Sequence, residues 1–318
     1  MDKKVFQLHF SNSILQELKD DVFAKKKLKV FLKRDDLLHE VVSGNKWRKL
    51  ALNIENAKHQ GKHTLLTFGG AYSNHIAATA YAAKAFGLKS IGFIRGEEND
   101  FSNYTLQAAK QQGMELIALS REEYAQRNNV DYLYNVRDTF LNAYVIPEGG
   151  ANYYGIMGCA DICNEIDMDY HYIACACGSG TTAAGLLLGK KENAKVIGFS
   201  ALKGVNNFKN EIVGKLTQAL MDNSYAESLA DDLIINSDFH FGGFAKMTKE
   251  LNDFSVSFFE KHAIELDFIY TAKMMFGLYN LIQSDYFPEN TTIIAIHTGG
   301  LQGNRGMLER FNKKKQQY

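Results

Sequence analysis

Lys46 is the residue whose surroundings suggest chemistry rather than packing. It lies in Val42-Ser43-Gly44-Asn45-Lys46-Trp47-Arg48-Lys49-Leu50, and Leu50, Ile54 and Ala57 follow at helical spacing. That pattern puts Lys46 in the first turn of a helix. A lysine is electrostatically misplaced there, because the amino end of a helix carries partial positive charge and favours anions. One reading is a solvated basic cluster with Arg48 and Lys49. The other is an amine whose proton affinity is lowered by neighbouring cations and the helix end, so that it can form an imine with a carbonyl cofactor. The second reading requires an anion cradle, a pocket and a base elsewhere in the chain.

Three glycine-bearing loops, each after an apolar run of strand length, are the candidates. Such loops lie at the carboxyl ends of strands, where open α/β sheets bind ligands. In Gly178-Ser179-Gly180-Thr181-Thr182 the glycines allow close backbone approach to an anion, the hydroxyls add donors, and the following helix offers free N–H groups. That makes a phosphate cup. It lacks the Gly-Lys-Ser/Thr ending of a nucleotide P-loop and the G-x-G-x-x-G dinucleotide spacing, and a plain turn is its alternative. In Gly69-Gly70-Ala71-Tyr72-Ser73-Asn74-His75, either Ser73 or Asn74 caps a helix, or the free N–H groups hold a substrate carboxylate while Asn74 and Ser73 project into a cleft. Thr298-Gly299-Gly300 offers one hydroxyl at a strand end.

The elements that must position these groups alternate. Thr64 to Phe68, Ser90 to Ile94 and Glu115 to Ala118 read as strands, separated by helices to about Phe86 and from about Asn103 to Gln111. A longer polar helix runs to about Asn142. A turn-rich join, Ile146 to Asn152, marks a lobe boundary. A second series follows: a helix from about Tyr154 to Glu165, the strand Tyr172 to Ala176 leading into the cup, a helix through Leu188, and strands Val196 to Phe199, Leu233 to Ile235 and Thr292 to Ile296. Helices near Phe208 to Met221 and Ala245 to His262 fit between them. Alternation of this kind predicts α/β architecture with mostly parallel sheets flanked by helices.

Composition narrows the partners. The 318 residues are 46% hydrophobic and 23% charged, enough for two lobes with ordinary cores. Formal net charge is zero, so no long-range field favours nucleic acid or an anionic membrane. The lead-in Met1-Asp2-Lys3-Lys4 opens a mixed polar segment and no apolar run is long enough to cross a bilayer, which gives a cytoplasmic expectation. Cys159, Cys163, Cys175 and Cys177 fit neither a disulfide scaffold nor the usual structural-zinc spacings, so buried thiols and no metal are expected.

A helix-start lysine, a serine-asparagine loop and a glycine-threonine cup share one chemical reading: pyridoxal 5'-phosphate held as an imine on Lys46. The chain resembles the 1-aminocyclopropane-1-carboxylate deaminase and D-cysteine desulfhydrase family, pyridoxal-phosphate enzymes of the tryptophan synthase β-subunit fold (fold type II). The resemblance rests on Ser43 to Leu50, Gly69 to His75, Gly178 to Thr182, Leu266-Asp267-Phe268-Ile269-Tyr270-Thr271 and His297-Thr298-Gly299-Gly300. It implies that Lys46 carries the cofactor, that Asn74 bonds its phenolic oxygen, and that Ser73 sits over the imine and touches the substrate carboxylate. It further implies that Gly178, Ser179, Gly180, Thr181 and Thr182 hold the phosphate and that Tyr270 is an acid or base on the opposite side of the substrate. The implied organisation is two-lobed, with residues 1–47 and 153–318 forming a large cofactor lobe and 48–152 a smaller inserted one. The active site is then expected between the lobes, in a homodimer acting on a small amino acid.

Within the family, the cyclopropane deaminases resemble one another in having glutamate after the catalytic tyrosine and leucine between the histidine and Gly-Gly of the last loop. Here Thr271 and Thr298 stand at those places. A carboxylate beside the pyridine nitrogen makes the ring a stronger electron sink; a neutral hydroxyl does not. Elimination from cysteine has a good leaving group and needs less of that sink, so the chain resembles the D-cysteine desulfhydrase side, which releases pyruvate, hydrogen sulfide and ammonia. Ring-opening deamination, elimination from another small D-amino acid, and binding of the cofactor or an amino acid without turnover are the alternatives. One departure is Phe244, in Phe241-Gly242-Gly243-Phe244-Ala245, where the family commonly has a second active-site tyrosine; phenylalanine keeps the ring and loses a donor.

Overall fold

The structure, a computed structural model, describes residues 12–39, 42–98, 101–204, 207–304, 306–308 and 311. The polar lead-in at residues 1–4 lies outside them. The chain forms two compact units, residues 1–45 with 159–318, and residues 46–158.

From the amino end, β1 (Leu15–Leu18), α1 (Asp21–Lys25) and β2 (Lys29–Lys33) belong to the first unit, and α2 (Asn45–His59) begins on its last residue. The second unit continues with β3 (Thr64–Gly69), α3 (Asn74–Ala85), β4 (Lys89–Arg95), α4 (Tyr104–Gln111), β5 (Met114–Leu119), α5 (Arg121–Ala125), α6 (Val130–Thr139) and β6 (Ala143–Ile146). The chain returns to the first unit within α7 (Tyr153–Asn164). It then forms β7 (Tyr172–Cys177), α8 (Thr181–Gly189), β8 (Lys195–Ser200), α9 (Phe208–Leu220), α10 (Asn223–Ala230), β9 (Leu233–Asn236), α11 (Lys249–His262), α12 (Thr271–Gln283) and β10 (Thr292–Ile296).

The second unit has a four-stranded parallel sheet in the order β5-β4-β3-β6. Its strands bury both faces, which is why they read as continuous apolar runs. Leu66, Phe68 and Phe93 pack with Tyr124 and Val136 on one side, and Ile94 packs with Ile76, Ala80 and Leu106 on the other. Among the described residues the first unit has a six-stranded sheet in the order β1-β2-β10-β7-β8-β9, parallel apart from the β1–β2 pair. Met274, Met275 and Leu278 of α12 pack with Leu32, Ile197, Ile293 and Ala295 in its core. Because β7 and β10 are parallel neighbours, their following loops, Gly178–Thr182 and Thr298–Gly300, leave the same sheet edge side by side.

Several boundaries differ from the sequence expectation. The long polar helix ending near Asn142 is instead α5 and α6, divided where the Asn129 side chain accepts from the N–H groups of Asp131 and Tyr132 and starts a new helix. The residues after it form β6, an edge strand that takes its extended form from pairing with β3. α11 starts at Lys249 behind the Thr248 cap rather than at Ala245, whose φ of 53° is incompatible with a right-handed helix. The helices α10 and α12 and the antiparallel strand β1 were not read from the sequence. Among the described residues no helix is long and apolar enough to cross a membrane, and the four cysteines are buried thiols outside any disulfide.

Candidate active site

The first unit brings four of the sequence motifs to one place. Gly44 has a φ of 65°, and a Cβ there would lie 1.9 Å from the Thr298 carbonyl oxygen. Only glycine lets the turn before α2 approach the last loop so closely. The Asn45 N–H donates to that carbonyl at 3.2 Å, and the Asn45 carboxamide donates to Thr182 Oγ1 at 2.9 Å. One residue thereby ties the start of α2 to both the cup and the Thr298 loop. A Cβ on Gly178 would come within 3.0 Å of Tyr270 Cε1 and 3.1 Å of its hydroxyl oxygen, so the phenol lies over the first residue of the cup.

The cup has the features a phosphate requires. Gly180 precedes α8 with a φ of 78°, and no side chain caps the helix. The N–H groups of the first turn are therefore left for an outside acceptor. Thr181 and Thr182 are buried, and Ser179 Oγ lies 3.0 Å from Thr181 Oγ1. An uncapped helix start at the carboxyl edge of a parallel sheet, lined by hydroxyls and carrying no acidic residue in its first turn, fits the phosphate of a pyridoxal cofactor.

Tyr270 stands immediately before α12, and its position is set by Asp267. The buried Asp267 carboxylate accepts from the N–H groups of Ile269, Tyr270 and Thr271 and from the Thr271 hydroxyl. Thr271 Oγ1 in turn accepts from the Asp267 N–H at 2.8 Å. The Thr271 hydrogen is thus committed to Asp267, leaving one lone pair of the hydroxyl for anything else. Thr298 is buried in its loop after β10.

In the second unit Lys46 is the second residue of α2, half-buried, with no acidic residue in the first turn. Arg48 and Lys49 are 0% and 2% exposed, so these residues do not form a solvated basic face. Ser73 caps α3, but its hydroxyl sits 3.4 Å from the Ile76 nitrogen, beyond the usual hydrogen-bond range. Asn74 is the first helical residue and is half-buried. His75, next in the turn, is buried; its Nε2 lies 2.9 Å from Thr67 Oγ1, which itself donates to the Ile146 carbonyl. That donation makes Thr67 the acceptor and assigns the imidazole proton to Nε2. Nδ1 is buried without a partner. Burial, reinforced by the charges of Lys46 and Lys49, holds the imidazole well below its ordinary pKa, so His75 is neutral. The same electrostatic coupling shows that Lys46 and the start of α3 share one environment.

Three features of the candidate site were not read from the sequence: the bridging role of Asn45, the Asp267 cap and the neutral His75. An Asp shortly before a helical stretch is a readable cap signal. Nothing local signals the other two, since the Asn45–Thr182 bond spans 137 residues and the burial of His75 depends on its sheet.

A family model described as pyridoxal-phosphate dependent enzyme matches residues 11–299. A protein of Pyrococcus horikoshii named putative 1-aminocyclopropane-1-carboxylate deaminase is 31% identical over 291 residues, covering 86% of this chain and 85% of its own length. An Arabidopsis thaliana protein named bifunctional D-cysteine desulfhydrase/1-aminocyclopropane-1-carboxylate deaminase, mitochondrial, is 32% identical over 299 residues, covering 86% of this chain and 73% of its own. A crystal structure described as an ACC deaminase homologue superposes with a TM-score of 0.77 at 25% identity, covering 97% of this chain and 99% of the other. With an uncapped glycine-threonine helix start, a helix-start lysine and these likenesses over most of its length, the chain belongs to the pyridoxal-phosphate-dependent enzymes, in the D-cysteine desulfhydrase and 1-aminocyclopropane-1-carboxylate deaminase family.

Proposed function

We propose that this pyridoxal-phosphate-dependent lyase eliminates sulfide from D-cysteine or a related small D-amino acid, giving pyruvate, hydrogen sulfide and ammonia with uptake of one water. The observation that carries the reading is the neutrality of two motif ends. Thr271 and Thr298 stand where a glutamate and a leucine mark the cyclopropane deaminases, and the carboxylate of Asp267 is already saturated by donors of its own turn. No free carboxylate is then offered by these motifs to a pyridine nitrogen, which suits loss of a thiolate better than cleavage of a carbon ring.

When bound, the cofactor supplies an electron-withdrawing ring to the substrate's α-carbon. The chain's residues supply the rest. In this reading Lys46 would carry the cofactor and, as an unprotonated amine, would take the α-proton. The Ser73 hydroxyl and the free N–H groups of α3 hold the substrate carboxylate, Asn74 orients the cofactor through its phenolic oxygen, and the cup holds its phosphate. Tyr270 delivers a proton to the departing sulfur. The reading extends to a homodimer in the cytoplasm, which light scattering and cell fractionation test.

Ring-opening deamination is the second reading, supported by the names of the Pyrococcus and Arabidopsis relatives. The purified holoenzyme is to be compared for sulfide and pyruvate release from D-cysteine and for 2-oxobutyrate release from the cyclopropane amino acid. A higher kcat/KM for D-cysteine is expected; faster ring opening overturns the assignment. A normal visible spectrum with no product from either, or from D-serine and β-chloro-D-alanine, points to a binding protein.

A further inference from the structure

The loop before α11 is pinned from below by a buried ammonium. Lys273, on the first turn of α12, is 2% exposed. Its Nζ donates to the His240 carbonyl at 2.9 Å and to the Gly243 carbonyl at 2.7 Å. Those two carbonyls also close the loop's own turns: the His240 oxygen accepts the Gly243 N–H, and the Gly243 oxygen accepts the Lys246 N–H. Both lone pairs of each carbonyl are therefore used. The loop has reason to need holding, because Phe241 and Ala245 adopt left-handed φ values of 52° and 53°, disfavoured for residues with a Cβ. Phe276, one turn further along α12, adds an aromatic anchor, with its ring centroid 4.9 Å from that of Phe241.

What the loop presents is Phe244. Its ring is 54% exposed and its centroid lies 6.1 Å from that of Tyr270. Tyr270 is fixed by the Asp267 cap at the start of the same helix whose first turn carries Lys273. One helical turn thus sets both rings of the pair: Tyr270 through Asp267, and Phe244 through Lys273 and the loop. Burial lowers the Lys273 pKa to about 8, opposed by the Asp267 carboxylate, so the group is an ammonium at neutral pH and its two bonds are charge-assisted.

We propose that Lys273 is a positioning residue for substrate selection, holding the 240–244 loop so that Phe244 forms an apolar wall beside Tyr270 against the substrate side chain. The proposal rests on the reading that Tyr270 faces the substrate. A wall that contacts the substrate before and during reaction contributes uniform binding, so its displacement raises KM and leaves kcat nearly unchanged.

The test uses full-length holoenzyme at neutral pH and three variants: Lys273→Met, Phe244→Ala and both together. Hydrogen exchange reads the loop directly. In Lys273→Met the amides of Gly243 and Lys246 are expected to lose protection about tenfold, the scale of one charge-assisted hydrogen bond, while those of β7 keep theirs. KM for the best amino acid of the substrate panel should rise about tenfold with kcat within about twofold. Phe244→Ala should reproduce that rise, and the double variant should add little to it, because both changes remove the same wall. Lys273→Gln, which keeps N–H donors on a shorter neutral side chain, replaces Lys273→Met if the latter does not fold. Unchanged loop protection overturns the proposal. So does lost protection with an unchanged KM, a fall confined to kcat, or fully additive effects in the double variant. Failure of D-cysteine as a substrate counts against the proposed reaction alone, since loop protection and KM are then read with whichever amino acid reacts, or from its spectral dissociation constant if none does.

Discussion

Replacing Gly180 by alanine tests the phosphate cup with a magnitude that the geometry supplies. The φ of 78° is left-handed, which for a residue with a Cβ costs about 1–2 kcal/mol. The new methyl would also stand 2.7 Å from Cγ1 of Ile212 and 3.5 Å from Cζ of Phe208. The Phe208 distance is ordinary contact, but Ile212 is overlapped and buried, so the cost is that of overpacking a filled site, about 1–3 kcal/mol. Together the two effects amount to roughly 2–5 kcal/mol, shared between loss of fold stability and displacement of the cup. If all of it fell on the cup, cofactor affinity would drop by roughly thirtyfold to a few thousandfold, and whatever share appears as lost fold stability reduces that drop. Equilibrium dialysis of pyridoxal phosphate against apoprotein reads the second share, and urea unfolding of apoprotein reads the first. Adding Ile212→Ala removes the overlap while leaving the φ strain, so it should recover about half of the lost affinity in free-energy terms. Gly180→Ala protein whose affinity and stability are both unchanged within about 0.5 kcal/mol would show that the strain argument is wrong.

Other outcomes follow from the same geometry. Lys46→Ala is expected to lack the visible absorbance of the wild type, and borohydride treatment of the wild type should fix the cofactor on Lys46; a label on the more buried Lys49 refutes the assignment. Because the folded pKa of His75 is depressed, the unfolded chain takes up a proton near pH 6.5 that the folded chain refuses, so stability is lost as pH falls below that point, by up to about 1.4 kcal/mol per unit. His75→Gln should remove that slope, and a wild-type-minus-variant difference that is flat between neutral and acidic pH counts against a neutral buried imidazole. Ser73→Ala should lower stability by less than about 0.5 kcal/mol, since its capping distance is 3.4 Å, yet weaken substrate binding. The reverse result makes Ser73 a cap and nothing more. Thr271→Val removes the hydroxyl from the Asp267 cap and should destabilise by about 1–3 kcal/mol in urea unfolding, whereas a neutral outcome there would show that the cap closes without it.

The candidate site was legible because it is written in short motifs. The lysine at the start of a helical pattern, the glycine-serine-threonine run after a strand and the serine-asparagine pair before an alanine-rich helix each lie within a few consecutive residues. The alternation of buried parallel strands with helices was legible for a similar reason: a strand covered on both faces must be apolar along its whole length. An element that owes its form to a distant partner carries no such local signal. Ala143–Ile146 is a strand through its pairing with β3, and residues 245–248 are kept out of α11 by a backbone that Lys273 helps to hold from another helix.

The sequence by itself therefore determined the α/β class, the cofactor family and the candidate residues for its site. The tertiary structure alone decided how those residues meet. It placed the Gly44 turn against the Thr298 carbonyl, joined Asn45 to Thr182 across 137 residues, set Tyr270 over Gly178 and left His75 neutral with a buried lone pair. The physical reason is the range of the forces involved. Helix starts and glycine turns follow from backbone sterics within a few residues, whereas close backbone approach, burial and the fields of neighbouring charges exist only once distant segments have packed together.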